Sequence, residues 1–267
     1  MSDTLDVAEQ LGGGLVLNRQ DLPFSLDEGI ARRAAIGLIV LATDHTIEHE
    51  WRWMLGNLSG VAFYESRIMN SASITPETLQ EMEKDIAQAT RLIRPGERID
   101  VMAFACTSGA MVIGDETVAA RIREARPGVA CTTPMAAAIT GLKTLGARRI
   151  ALLTPYVDRI NQMMRDHIET RGVKVSVMGS FNHENDNEVA RIDAGSIERA
   201  VLELGCHDAV DAVFVSCTSL RVAKLVEALE KRLGKPVTSS NHALAWHSLR
   251  LSGYADPVPG LGRLMLV

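Results

Sequence analysis

Two cysteines in identical tripeptides are the residues of this sequence whose types and spacing could do chemistry. Cys106-Thr107-Ser108 and Cys217-Thr218-Ser219 each follow a short apolar run. Short runs rich in β-branched and aromatic residues are typical of buried parallel strands. Open α/β sheets bind their ligands at the carboxyl ends of such strands. The pattern therefore predicts that Cys106 and Cys217 face each other across one active site.

Two opposed thiols could catalyse either of two reactions. One thiol could remove a proton from a bound carbon while the other returns a proton to the opposite face, which is racemisation. Alternatively, a thiolate could add to an activated double bond, allow rotation and leave, which is cis–trans isomerisation. Both reactions need a thiolate, and we predict that a helix start after each cysteine stabilises it. Hydroxyl groups beside the thiols could hold a substrate carboxylate: those of Thr107, Ser108, Thr218 and Ser219.

A structural role is the alternative for each cysteine, because free cysteines are commonly buried as small apolar residues. We interpret Cys131 and Cys206 in this way. The matching strand-end positions of Cys106 and Cys217 favour a functional role for that pair.

The elements that must position these motifs alternate between strands and helices, which predicts an α/β fold. Strand-like segments at 36–40 and 150–154 each precede a Cys-Thr-Ser motif by about 70 residues. This repeat predicts two similar Rossmann-like lobes, each with a parallel four-stranded sheet flanked by helices. A pseudo-twofold axis would relate the lobes, with the active site in the cleft between them. The predicted bounds are 1–33 for an N-terminal extension, 34–130 plus about 238–267 for the first lobe, and 131–237 for the second.

Composition excludes several classes of partner. The formal net charge of −5 and the lack of a basic stripe argue against nucleic acid. No apolar run is long enough to span a membrane, and residues 1–6 lack the pattern of a signal peptide. We therefore predict a cytoplasmic protein whose four cysteines are thiols.

One segment matches a pattern of metal-binding proteins. The residues from His45 to His49 fit the H-x-x-E-H arrangement of some zinc enzymes. However, His45 falls in a predicted strand-to-helix loop, and no further carboxylate ligand stands out downstream. We interpret the segment as a polar helix start and predict no metal site.

Several motifs together resemble a known family. Besides the two cysteine motifs, the chain contains Leu153-Thr154-Pro155-Tyr156 and the segment from Asn241 to Trp246. From about Ala34 to the carboxyl end, this combination resembles the aspartate/glutamate racemase superfamily. Within it, the chain is similar to the branch that holds maleate cis–trans isomerase, arylmalonate decarboxylase and the racemase-like proteins of ectoine utilisation.

The resemblance implies two α/β lobes, an active site between them, and no metal or organic cofactor. It implies that Cys106 is the nucleophile or first acid/base and that Cys217 is the second. Tyr156 and an asparagine of the 182–187 stretch, for which we predict Asn187, would bind the substrate carboxylate. We also predict a homo-oligomer, either a dimer or a tetramer.

One position departs from the maleate isomerases that the chain resembles. Where they carry an asparagine that binds a substrate carboxylate, this chain has Asp44. A carboxylate there would repel a dicarboxylate, unless it were protonated or paired with a cation such as His45. Asp44 therefore favours a substrate with an amino or amide group, and the ectoine-utilisation type over maleate isomerase.

These observations predict a cofactor-independent isomerase, a racemase or a cis–trans isomerase, that acts on a small carboxylate or amino-acid derivative, with a place in ectoine degradation as one possibility. Three alternatives stay open. The first is maleate cis–trans isomerase proper. The second is an arylmalonate-type decarboxylase, although that enzyme keeps one of the two cysteines. The third is a non-catalytic two-lobed protein that binds a small carboxylate.

Overall fold

The structure, a computed structural model, describes residues 17–183 and 185–267. Its strands form two separate four-stranded sheets in which every strand pair is parallel. The first sheet has the spatial order β2 (Val61–Ile68), β1 (Ala34–Leu41), β3 (Val101–Ala105) and β4 (Ala130–Thr132). The second has the order β6 (Lys174–Ser180), β5 (Arg149–Thr154), β7 (Ala212–Val215) and β8 (Val237–Ser239). The two orders are the same when four is added to each strand number, so the predicted pair of parallel sheets is confirmed.

Helices flank both sheets, as parallel strands require for their connections. In chain order they are α1 (Ile47–Leu55), α2 (Pro76–Gln80), α3 (Glu83–Leu92), α4 (Thr107–Ile113), α5 (Asp115–Ala125), α6 (Pro134–Thr144), α7 (Asp158–Glu169), α8 (Asp186–Val189), α9 (Ala194–Gly205), α10 (Val226–Leu233) and α11 (Ser240–Leu251). Short 3₁₀ turns lie at Ala223–Leu225 and Arg263–Leu266. Among the described residues, no helix is long and apolar enough to cross a membrane.

The inner strands of each sheet include the apolar runs that precede the two cysteine motifs, β3 before Cys106 and β7 before Cys217. Every residue of β1, β3 and β7 is buried, because helices cover both faces of these strands. β1 pairs with β3 in the first sheet, and β5 pairs with β7 in the second. The two cysteine motifs therefore follow buried inner strands of the two sheets.

Helix α11 follows β8 of the second sheet but packs against elements of the first half of the chain. α11 contacts α6, α1 and β3, and α6 also contacts α4. The chain passes to the second sheet only after α6, whereas the sequence placed 131–144 in the second lobe. We therefore propose a lobe boundary near residue 145, with α11 completing the first lobe. In the described part of the predicted extension, 17–33, the chain has no strand or helix and is mostly exposed, while 1–16 lies outside the described residues.

Candidate active site

The two cysteine motifs meet at one cleft. Cys106 follows β3 directly and Cys217 lies two residues beyond β7, and both side chains are 4% exposed. Both line the same cleft, whose empty space is about 390 Å³ including its open mouth. The hydroxyl of Ser240, at the start of α11, joins the motifs. It accepts hydrogen bonds from Oγ1 of Thr107 at 2.8 Å and from the backbone N–H of Cys217 at 3.0 Å.

Most of the predicted site residues are among those that line this cleft. Besides the cysteines, the lining includes Thr107, Ser108, Tyr156 and Thr218. Their hydroxyl groups are donors that can bind a carboxylate. The remaining lining residues come from the first half of the chain and from α8: Leu41, Asn70, Ser71, Ser73, Ile74, Thr78, Leu79, Met82 and Asp186. Because Leu41, Ile74, Leu79 and Met82 are among them, the lining of the cleft is partly apolar.

Cys106 is the N-cap residue of α4, as the sequence predicted. Its Sγ accepts a hydrogen bond from the backbone N–H of Gly109 at 3.3 Å, and its backbone is extended. The free N–H groups of the first helical turn lie beside it and favour negative charge there. Thr107 and Ser108 form that first turn, so a carboxylate next to Cys106 would meet both their hydroxyls and the helix start.

Gly109 is required for this close approach, and its substitution provides a test of the geometry. A Cβ at this position would lie 2.8 Å from Sγ of Cys106 and 2.5 Å from the terminal methyl of Met82. We expect Gly109→Ala to push the thiol out of position and to lower kcat by about 10-fold or more, since misplaced reacting groups cost roughly that much. Steady-state kinetics measures the effect, with Gly128→Ala, a surface glycine, as the control for general destabilisation. An unchanged kcat in a folded Gly109→Ala protein would contradict this placement.

Cys217 has a different local structure, and here the sequence prediction fails. Its φ is +148°, a backbone conformation that residues other than glycine rarely adopt and that costs roughly 1–3 kcal/mol. The chain then makes a turn, and no helical structure begins until Ala223. Sγ of Cys217 instead accepts a hydrogen bond from the backbone N–H of Ser219 at 3.4 Å. The second thiol thus lacks the helix start that we predicted beside it.

Burial keeps both thiols protonated in the free protein. Loss of hydration raises the pKa of Cys106 to about 12, and the negative charges of Asp186 and Asp44 contribute further. The pKa of Cys217 is raised for the same reasons, burial first and Asp186 second. A protonated thiol can deliver a proton, but it becomes a base or nucleophile only after it loses one. A ligand that compensates the negative charge at Asp186 would lower both pKa values.

Tyr156 reaches the cleft from the loop after β5. Its phenol lies near Ser108 and the two thiols, and burial raises its pKa well above the ordinary value, so the hydroxyl is a neutral donor. Asn161 holds the loop, because its side-chain amide donates to the Tyr156 carbonyl at 2.7 Å. The position agrees with the predicted role of Tyr156, and contact with a substrate carboxylate stays a prediction.

Asp186 is the one acidic side chain among the residues that line the cleft, within the described part of the chain. Its Oδ1 accepts from the hydroxyl of Ser219 at 2.8 Å, and its Oδ2 accepts from Oγ1 of Thr43 at 2.6 Å. Its backbone N–H donates to the carbonyl of Ala72 at 3.1 Å, so residues of both halves hold it. Ser219, which we predicted to bind substrate, supports this carboxylate instead of lining the cleft.

Asp44 and Asn187 lie beside the cleft but are not among its lining residues. Oδ1 of Asp44 accepts from the backbone N–H groups of Thr46 and Ile47 at 2.7 and 2.9 Å, which places the carboxyl at the start of α1. Burial raises its pKa to about 6, partly offset by those hydrogen bonds. The Asn187 amide contacts Nε2 of His45 at 2.9 Å. Direct substrate contact by Asp44 or Asn187 therefore stays a prediction.

The sequence analysis missed several residues that line the cleft or support its loops, and two of them could have been recognised from the sequence. Asp186 lies next to the predicted Asn187, inside the stretch that the resemblance indicated. Glu50 interrupts the apolar stripe of α1, where Ile47, Trp51 and Met54 are buried, and a charge on a buried stripe is unusual. The sequence around Ser240 does not distinguish it from other serines at helix starts.

The described residues contain no cluster of three or more His, Cys, Asp or Glu side chains that could hold a metal ion.

Comparisons with known proteins agree with this fold. A family model described as arylmalonate decarboxylase matches residues 36–265. The chain is 32% identical to arylmalonate decarboxylase of Bordetella bronchiseptica, over 72% of this chain and 81% of that protein. It is 28% identical to maleate isomerase of Nocardia farcinica, over 86% of this chain and 94% of that protein.

Among solved structures, a similar one is a cysteine-to-serine mutant of Nocardia farcinica maleate cis–trans isomerase with a covalently bound succinylcysteine intermediate. Its TM-score is 0.80 at 26% identity, with 87% of this chain and 98% of that chain covered.

Proposed function

Because the chain belongs to the arylmalonate decarboxylase family, we propose that it is a cofactor-independent isomerase of a small carboxylate. The observation that carries the proposal is the pair of buried thiols that reach one cleft from two different sheets. A protein that only bound a carboxylate would need the hydroxyl donors but not two thiols. Both thiols carry a proton at rest, so either can return a proton to a substrate once the other has ionised to act as the base.

The donors of the cleft assign an orientation to the substrate. Its carboxylate would bind at the start of α4, with the hydroxyls of Ser108 and Thr218 and the phenol of Tyr156 as donors. In this proposed placement, the carbon next to the carboxylate would lie between Cys106 and Cys217, which line the same cleft. Negative charge that develops on the carboxylate during proton removal would be stabilised by the same donors.

Racemisation from this geometry needs one thiolate and one thiol, so one of the two thiols must first release its proton to solvent. A positive group of the substrate beside Asp186 would favour that loss, because the charge of Asp186 raises the pKa of both thiols. The thiolate takes the proton of the α-carbon, the electron pair moves into the carboxylate, and the opposite thiol returns a proton to the other face. The first sulfur ends protonated and the second ends as a thiolate, so the roles exchange at each turnover. Cis–trans isomerisation would use the thiolate to form a carbon–sulfur bond, and the succinylcysteine of the maleate isomerase mutant supports such a bond in that protein.

The charge of the cleft bears on the class of substrate. Asp186 lines it, and none of the described residues that line it is Lys, Arg or His. A dicarboxylate would place a second negative charge against Asp186, whereas an ammonium or amide N–H would pair with it. We therefore propose an amino-acid derivative as the substrate. The resemblance to the ectoine-utilisation proteins favours N-acetylated diamino acids as the first compounds to test.

Decarboxylation is the second candidate, and the match to arylmalonate decarboxylase favours it. That reaction would protonate the carbanion left by carbon dioxide, for which a single thiol suffices. The presence of both Cys106 and Cys217 favours isomerisation, since the second thiol would otherwise have no part in the chemistry.

One assay distinguishes these candidates. Maleate, aspartate, hydantoins, N-acetylated diamino acids and an arylmalonate are incubated with the protein in deuterated buffer and followed by NMR. Racemisation gives deuterium at the α-carbon with loss of optical activity, cis–trans isomerisation gives new vinyl signals, and decarboxylation gives a deuterated monoacid. Binding of carboxylates without turnover of any compound would favour the binding-protein alternative over the isomerase.

A further inference from the structure

Glu50 is a buried acid of α1 that lies outside the cleft and that the proposed chemistry does not use. Its side chain is 4% exposed, and within the described part of the chain it forms no ion pair. Three N–H groups surround it. Oε1 accepts from the backbone N–H of Val222 and of Ala223, both at 2.7 Å, and Oε2 accepts from the side-chain amide of Asn241 at 2.8 Å.

The same amide connects Glu50 to the second cysteine motif. Nδ2 of Asn241 also donates to the backbone carbonyl of Thr218, the residue after Cys217, at 2.8 Å. One turn earlier on α1, Oγ1 of Thr46 donates to the carbonyl of Ser219 at 2.8 Å. Thr46 and Glu50 are four residues apart, so they lie on one face of the helix. That face therefore contacts the 218–223 segment at both its ends.

The segment needs such contacts because of its backbone. Cys217 has a φ of +148°, a conformation that persists only where the surroundings hold it. Val222 and Ala223 begin the helical structure that continues into α10, and their N–H groups have no partner within that helix. A carboxylate satisfies both donors at once and is favoured at a helix start.

A buried carboxylate is nevertheless a costly way to hold a loop. Burial raises the pKa of Glu50 to about 7, with the nearby Asp44 adding to the rise and the three hydrogen bonds opposing it. Groups of this kind are often replaceable by apolar residues when stability alone is at stake. Its location between α1, the 218–223 segment and α11 points to a role in geometry.

We infer that Glu50 is a positioning residue that, through Asn241, holds the backbone of Cys217 in the conformation that directs its thiol into the cleft. The inference concerns the thiol's position and rests on the proposed role of Cys217. Its consequence is specific: loss of Glu50 disturbs Cys217, while Cys106, which the start of α4 holds, is unaffected.

Thiol alkylation tests the inference without a substrate, so its outcome is independent of the proposed function. Cys217 is alkylated with iodoacetamide in a Cys106→Ser background and its rate is followed by peptide mass spectrometry, with and without Glu50→Gln. Glutamine keeps the size of the side chain but replaces one accepting oxygen with an NH₂ donor. That donor would face another N–H donor, either of Asn241 or of the 222–223 backbone, so at least one hydrogen bond is lost. We expect the alkylation rate of Cys217 to rise about 10-fold or more as the loop is released.

Two controls separate positioning from general destabilisation and from charge. Glu230→Gln removes another buried carboxylate that accepts two backbone N–H bonds, from Val237 and Arg263, and we expect less than a twofold change. Asn241→Ala keeps the charge of Glu50 but breaks the connection. It is expected to match the effect of Glu50→Gln, and the double variant is expected to add little to either.

The alkylation rate of Cys106 shows whether the effect of Glu50→Gln is specific to Cys217. In a Cys217→Ser background, Glu50→Gln is expected to leave the alkylation rate of Cys106 unchanged. Equal acceleration of both cysteines, no acceleration of Cys217, or additive effects of Glu50→Gln and Asn241→Ala would each overturn the inference. Asn241→Ala keeps the test decisive if Glu50→Gln fails to fold, because its effect on Cys217 can be measured alone.

Discussion

Replacing either Cys106 or Cys217 with alanine is expected to lower turnover of the substrate by about 10³-fold or more. In the proposed mechanism each thiol would supply a proton-transfer or bond-forming step, and such steps contribute roughly 10²–10⁴-fold each. Initial rates with the compound identified in the deuterium screen measure the effect. Cys131→Ala and Cys206→Ala are matched controls, because these free cysteines are not among the residues that line the cleft, and they should keep the full rate.

The single-cysteine variants also report on the mechanism. If the thiols act on opposite faces, Cys217→Ala should still exchange the α-proton of one enantiomer with deuterium, without inversion, and Cys106→Ala should do so for the other. Loss of turnover in one variant with a normal rate in the other would contradict the two-thiol mechanism and support a decarboxylase that uses one cysteine.

Replacing Asp186 with asparagine is expected to change which charge the cleft accepts. The variant removes a negative charge that a dicarboxylate would meet and an ammonium would pair with, while asparagine can keep a hydrogen bond to Thr43 or Ser219. Charges about 4 Å apart near a protein surface interact by about 4 kcal/mol, which solvent in the open cleft reduces. We expect the ratio of kcat/KM for amino-carboxylates over dicarboxylates to fall by about 10- to 100-fold.

A second effect should accompany the change in selectivity. Because Asp186 raises the pKa of both thiols, Asp186→Asn is expected to move the alkylation of Cys106 and Cys217 to lower pH. Glu188→Gln is the matched control, since it removes the same charge from the same short helix at an exposed position. If Asp186→Asn and Glu188→Gln alter substrate selectivity equally, the proposed ammonium site at Asp186 is wrong.

The parts of this protein that could be predicted from its sequence are those that depend on local signals. A parallel strand buried on both faces is a continuous apolar run, so β1, β3, β5 and β7 could be recognised with nearly their observed bounds. Helix α6 was equally evident, because Thr133 caps it and Pro134 begins it. The two Cys-Thr-Ser motifs follow such strands, which is why their meeting in one cleft could be expected.

The different structures that follow the two cysteines show that a local sequence pattern does not always predict the local structure. Identical tripeptides predicted the same helix start twice, yet only Cys106 caps a helix. Around Cys217 the backbone is bonded to Ser240, Asn241 and Thr46, which come from distant parts of the chain. Those partners determine its positive φ, and no pattern within the 217–223 segment encodes them.

The positions of the acidic residues also depend on the tertiary structure and not on local sequence. The sequence by itself determined the pair of thiols, the hydroxyls beside them and the parallel sheets. These features depend on local patterns, because buried strands and helix starts are specified by residues that are neighbours in the sequence. Only the tertiary structure decided which carboxylate lines the cleft. The carboxyl of Asp44 lies at the start of α1, and Asp186 lines the cleft. Glu50 accepts a hydrogen bond from the backbone of Val222, which is 172 residues away in the sequence. Hydrogen-bond partners so far apart are chosen by how the two halves pack, which a local pattern does not specify.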